Sequence, residues 1–296
     1  MEEYRQTGPR RPRGAGNFWH VWSPLFVKWG IAFVVSMAGM FVLVGGYVAG
    51  HEDLVLKALD DENQMMKIYN QILNLYLQYA TLIEGVAAIC TIPFLAWMFH
   101  KDRMKEKMAG KALAKKASLA YYVPAIFMAV ASSIALNNLI IIGNFASYSS
   151  DYTETMSTFY SSNFLVQIVV LGVIIPICEE FVFRGLVFNR LKEDSSLMGA
   201  MIYSSLIFGL LHGNIVQIVY GTLLGFLLAW LYQQMGSMWA PILAHVFMNL
   251  VSVFATKFSF YTALAKDIRY IGLATVVCAA FAAGMYLVLQ PLAGEK

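Results

Sequence analysis

Two adjacent glutamates and an arginine interrupt an apolar run at residues 174–185, IIPICEEFVFRG, as Glu179, Glu180 and Arg184. In hydrocarbon each unpaired carboxylate costs about 2.5–3.5 kcal/mol or more, so an ionisable cluster in a run long enough to span a bilayer points to a functional site. Helical spacing puts Glu180 and Arg184 at i and i+4, one turn apart on one face, where they can form an ion pair. Glu179 lies about 100° round the helix without such a partner. It is therefore the carboxylate expected to face a cavity and exchange protons. Glu180 and poor solvation should raise its pKa and Arg184 should lower it.

Two histidines add to this set. His20, His51 and His100 fall at or near helix ends or in loops, but His212 and His245 do not. His212 closes the run LIFGLLH with Phe208 one turn before it, and His245 shares a helix face with Asn249 in AHVFMN. A lone histidine in an apolar helix is usually a satisfied structural residue. Two histidines and an asparagine beside a carboxylate pair favour a catalytic or metal site. Glu84 is a further isolated acid in an apolar segment, for which a structural and a functional role weigh equally. Cys90, Cys178 and Cys278 fall in apolar runs without metal-ligand spacing, so no disulfide framework is implied. Cys178 reads as a small core residue.

The elements that must position these groups are apolar helices. The chain has 296 residues, 59% hydrophobic and 13% charged, with mean hydropathy +0.61. Soluble domains carry about 25% charged residues. The deficit predicts an all-α, polytopic transmembrane bundle. Continuous runs of about 20 residues favour helices over a β-barrel. About eight spans are expected, near 25–49, 74–99, 119–143, 164–188, 197–212, 215–232, 238–254 and 270–289. Polar or basic loops are expected at 50–73, 100–116 and 144–163. The first span is approached through Trp19, Trp22 and Trp29, an interfacial aromatic cluster. That span is too long for a cleavable signal peptide. No nucleic-acid module is visible, and the partners expected are the lipid bilayer and a membrane-associated peptide or protein.

Loop charges predict the orientation. Arg5, Arg10, Arg11, Arg13 and Lys28 precede or enter the first span, and Lys101, Arg103, Lys105, Lys107, Lys111, Lys115 and Lys116 follow the second. The intervening loop carries Glu52, Asp53, Asp60, Asp61 and Glu62, and the third loop only Asp151 and Glu154. This alternation places both termini in the cytoplasm of a multi-pass cell-membrane protein. Lys257, Lys266 and Arg269 before the last helix are a mild exception.

The motifs Glu-Glu-x-x-x-Arg, Phe-x-x-x-His and His-x-x-x-Asn occur in this order on separate apolar segments, with Gly-Ser-Met-Trp-Ala-Pro at 236–241 ahead of the last. Together they resemble the CPBP family, the CAAX prenyl endopeptidases and bacteriocin-processing membrane proteases also called the ABI family. The resemblance covers about residues 164–254. It implies an intramembrane endopeptidase in which Glu179 and His212 position and deprotonate a water. Glu180 and Arg184 would hold that geometry, and His245 and Asn249 would stabilise the oxyanion. Together with the spans and loop charges, this divides the chain into 1–24 (cytoplasmic), 25–160 (the first three helices with their loops), 161–255 (the CPBP-like catalytic core) and 256–296 (the last helix and C-terminus). No cofactor is expected. A zinc-dependent version of the same protease would use Glu179, His212 and His245 as ligands, although the His-Glu-x-x-His arrangement is absent. Two competing functions for the same fold are a non-proteolytic immunity or scaffold protein, and a transporter with a proton-coupled carboxylate.

One geometric condition must be met. A fifth helix starting at Leu197 carries His212 roughly 22 Å along its axis, at about 1.5 Å per residue. Glu179 lies about ten residues from the same side. The two meet only if that helix is tilted, starts outside the bilayer core or stops within the membrane; the last is expected, because Gly213–Asn214 is a suitable stop.

Overall fold

The computed structural model describes residues 15–111 and 114–290. Arg5, Arg10, Arg11 and Arg13 lie outside the described residues. Within them every regular element is helical: α1 (Ala15–Gly50), α2 (Glu52–Ala58), α3 (Glu62–Met108), α4 (Tyr122–Ile142), α5 (Ser150–Ser161), α6 (Phe164–Asp194), α7 (Leu197–Leu210), α8 (Ile215–Met235), α9 (Trp239–Lys257), α10 (Phe260–Leu264) and α11 (Ile268–Leu289). Among the described residues, seven of these helices are long and apolar enough to cross a membrane: α1, α3, α4, α6, α8, α9 and α11. The chain is a multi-pass helical bundle.

Three expectations are corrected. The fifth span is the 14-residue helix α7, about 21 Å long and short of a hydrocarbon core of about 30 Å. It stops where expected. Gly213 adopts φ +80°, and Asn214 caps α8 by accepting from the Gln217 backbone N–H at 2.9 Å. The loops expected at 50–73 and 100–116 are largely helical. Asp61 starts α3 by accepting from the N–H groups of Asn63 and Gln64, and hydrogen bonds from Gln64 hold its carboxyl below the usual range. Only Gly85 and Pro93 interrupt the helix-formers before Gly110, and α3 runs for 47 residues. The 144–163 loop contains α5, capped by Ser149. Hydropathy marks where apolar surface ends, and the helix continues beyond it on polar helix-formers.

The helices pack through two main clusters. One joins α4, α8, α9 and α11 around Met128, Leu228, Leu231, Met248 and Leu289. The other joins α1, α3, α6 and α7 around Leu25, Leu95, Cys178, Leu186 and Phe208. Cys178 is thus the core residue expected. At one end of the bundle the buried Arg190 of α6 ties three helices together. It donates to Asp102 of α3 at 2.7 Å and to Ser23 of α1 at 2.9 Å. The basic residues of α3 sit at this end, and so do the start of α1 and the end of α11, where Leu289 packs in one cluster with Met235.

α7 and α8 form a hairpin that enters from this end and returns to it. A methyl group on Gly209 of α7 would lie 2.5 Å from the Ile218 carbonyl oxygen and 3.0 Å from the Thr222 nitrogen. A methyl group on Gly221 of α8 would lie 3.4 Å from the Gly209 Cα. Gly221 and Gly225 are spaced as in small-xxx-small membrane interfaces, where missing side chains let backbones approach. The short helix is thereby held deep in the bundle with His212 at its tip.

Candidate functional site

The local backbone of α6 presents the glutamate pair. Pro176 has no N–H and cannot continue the hydrogen-bond ladder. The segments on either side, Gln167–Ile174 and Phe181–Phe188, are π-helical, and Glu179 and Glu180 end the α-helical stretch Ile175–Glu180 between them. Ile175 donates to the Val170 carbonyl five residues back. In that register Pro176 would have to serve Leu171, and it has nothing to donate. Asn249 of α9 supplies the missing bond, its Nδ2 donating to the Leu171 oxygen at 2.9 Å.

Glu180 and Arg184 form the expected pair, fully buried, at 2.8 Å. Arg184 also donates to the Gly225 carbonyl at 2.9 Å, and its guanidinium lies 4.7 Å from the Phe208 ring centroid. The same Glu180 Oε1 accepts from His245 Nδ1 at 2.8 Å. A carboxylate accepts, so His245 carries its proton on Nδ1 and turns the Nε2 lone pair elsewhere. That lone pair faces Glu179, with Nε2 3.8 Å from Oε2. The gap is too long for a direct hydrogen bond and suits one bridging water.

His212 is oriented by its own helix. Its Nδ1 lies 2.8 Å from the Phe208 carbonyl oxygen. A carbonyl only accepts, which again puts the proton on Nδ1 and the lone pair on Nε2. Phe208 is the common wall. Its ring meets His212 edge-on at 4.9 Å and His245 at 6.0 Å, and packs against Phe183 at 4.9 Å.

Glu179, His212, His245 and Asn249 all line one cavity of about 450 Å³. Glu180 and Arg184 stand behind this wall rather than on it. Glu179 has His245, rather than His212, within 4.0 Å. Glu84 of α3 and Lys28 of α1 line the same cavity. On the α5 side the wall includes Tyr152 and Tyr160, whose phenols burial pushes up and keeps neutral. Pro176, Phe208, Gly209 and Gly225 were not singled out for these positioning roles. The Gly-x-x-x-Gly spacing at 221–225 and a proline three residues before the glutamates were the available signals.

For zinc, the donor set does not fit. Among the described residues, no three His, Cys, Asp or Glu side chains gather as a metal site.

Residues 161–251 match the family described as type II CAAX prenyl endopeptidase Rce1-like. A curated relative, "Putative membrane peptidase YdiL" of Bacillus subtilis (strain 168), is 37% identical over 84 residues, covering 28% of this chain and 34% of the relative. The match thus spans about a third of that relative's length. No solved structure matches. All four cavity-lining motif residues, and the ion pair behind them, fall inside 161–251, so the similarity to type II CAAX prenyl endopeptidases lies in the segment that builds the site.

Proposed function

We propose that this chain is an intramembrane endopeptidase that hydrolyses a peptide bond of a membrane-associated substrate with an activated water and no metal. The observation that supports it most is the meeting of Glu179 Oε2 and His245 Nε2, two acceptors 3.8 Å apart on one cavity wall. A water placed between them would donate one proton toward each. Glu179 takes a proton as the water oxygen bonds to the scissile carbonyl carbon. The C–N bond then breaks, and the amine leaves with that proton. Glu180 fixes the His245 tautomer, as the carboxylate partner of a catalytic histidine does. The Asn249 amide keeps a second N–H after serving Leu171. That N–H stabilises the oxyanion, on the wall it shares with His212. Such donors in a water-poor cavity contribute several kcal/mol.

The sequence expectation pairs Glu179 with His212 at the water and His245 with Asn249 at the oxyanion; the proposed mechanism exchanges the histidines. The bundle end carrying the α3 lysines is read as cytoplasmic, which puts the start of α1 and the end of α11 there. Expression of Glu179→Gln and His212→Ala at normal level tests the activity, with cleavage of a transmembrane reporter peptide as the readout. Loss of cleavage in both supports the hydrolase. A biological effect retained by both, with no cleaved product, would favour the scaffold reading.

A further inference from the structure

The cavity carries ionisable groups that the proposed mechanism does not use. Lys28 of α1 and Glu84 of α3 both line it, and both lie outside the family-matched segment 161–251. Glu179 lines the same cavity. Among the described residues neither Lys28 nor Glu84 has an ion-pair partner. Glu84 sits mid-helix in an apolar stretch of α3, where an unpaired carboxylate is costly to keep. Behind the wall, Arg184 balances Glu180. On the wall, two carboxylates, Glu84 and Glu179, face one ammonium, Lys28. Among these three groups the wall is short of one positive charge.

We propose that Glu84 and Lys28 form a substrate subsite in which Glu84 receives a cationic side chain, a lysine or arginine of the bound peptide, while Lys28 balances Glu179. This rests on the endopeptidase reading and adds a specificity to it. A neutral segment leaves Glu84 unpaired in a poorly solvated cavity. A cationic residue completes the charge balance, and the rest of the segment fills the apolar wall. An acidic residue is disfavoured by two carboxylates against one lysine.

The test is binding in nanodiscs, with fluorescent apolar transmembrane peptides of about 20 residues carrying lysine or norleucine at one central position. The wild-type chain is expected to bind the lysine peptide about tenfold more tightly, equivalent to about 1.4 kcal/mol. Glu84→Gln should bring the two peptides within about twofold and leave norleucine-peptide affinity unchanged. Lys28→Met should widen the preference. Equal binding by the wild-type chain, or a tenfold preference surviving Glu84→Gln, overturns the subsite. If Glu84→Gln does not fold, Lys28→Met decides, and an unchanged preference in it counts against the proposal. Binding is read without turnover. A wild-type chain that prefers lysine but cuts neither peptide contradicts the hydrolase reading and leaves the subsite standing.

Discussion

Replacing Glu180 with glutamine probes the buried network more sharply than removing a cavity residue. Glu180 Oε1 accepts from Arg184 and from His245, each at 2.8 Å and out of solvent. Hydrogen bonds to charged groups contribute about 1.5–3 kcal/mol each. Breaking a buried ion pair by neutralising one member costs about 3–5 kcal/mol, because the other charge stays buried unpaired. Glu180→Gln should therefore lose about 3–5 kcal/mol of stability, and Arg184→Met a similar amount. The double variant removes both charges and should be destabilised by about 1–3 kcal/mol less than the sum of the singles, the range seen for residues in contact. Cleavage should fall at least about hundredfold in Glu180→Gln, because His245 loses the acceptor that fixes its proton on Nδ1. Thermal unfolding of the four purified chains in one detergent gives the stability terms. Additive losses, or a Glu180→Gln chain as stable and active as wild type, would refute the argued coupling.

Other consequences follow from single contacts. Pro176→Ala restores an N–H that can serve the Leu171 carbonyl and release Asn249; stability should change by under about 1 kcal/mol while kcat falls about tenfold with little change in KM. Gly209→Ala places a methyl against the backbone of α8 and should cost about 1–3 kcal/mol or more, read as a lower Tm, with loss of cleavage because His212 sits at the tip of α7. Zinc chelation by 1,10-phenanthroline, at concentrations that inhibit a zinc protease control, should leave the cleavage rate within about twofold; a loss restored by added zinc would contradict the metal-free proposal.

Much of the candidate site was legible in the sequence because charge in an apolar run is costly and conspicuous. Glu179, Glu180 and Arg184 stand out for that reason, and the i, i+4 pairing of Glu180 with Arg184 follows from helix geometry alone. The Gly213–Asn214 stop was legible too, since both residues favour the end of one helix and the start of the next. What was not legible were the groups that act through backbone. Asn249 is held by a carbonyl that Pro176 orphans only because the helix is π-helical there, and periodicity assumes an α register. Which histidine approaches Glu179 depends on the depth of α7, set by contacts of Gly209 and Gly221 that carry no hydrophobic signal. The lengths of α3 and α5 were missed because hydropathy measures apolar surface, and helices persist past it when capped by Asp61 and Ser149.

The initial rate at which Glu179→Gln cleaves a transmembrane peptide in nanodiscs, relative to wild type at neutral pH, tests the central claim most directly. Loss of the base that takes the proton from water should lower that rate by about a thousandfold while the fold and peptide affinity are retained. A correctly folded Glu179→Gln chain that still cleaves within tenfold of wild type would contradict it.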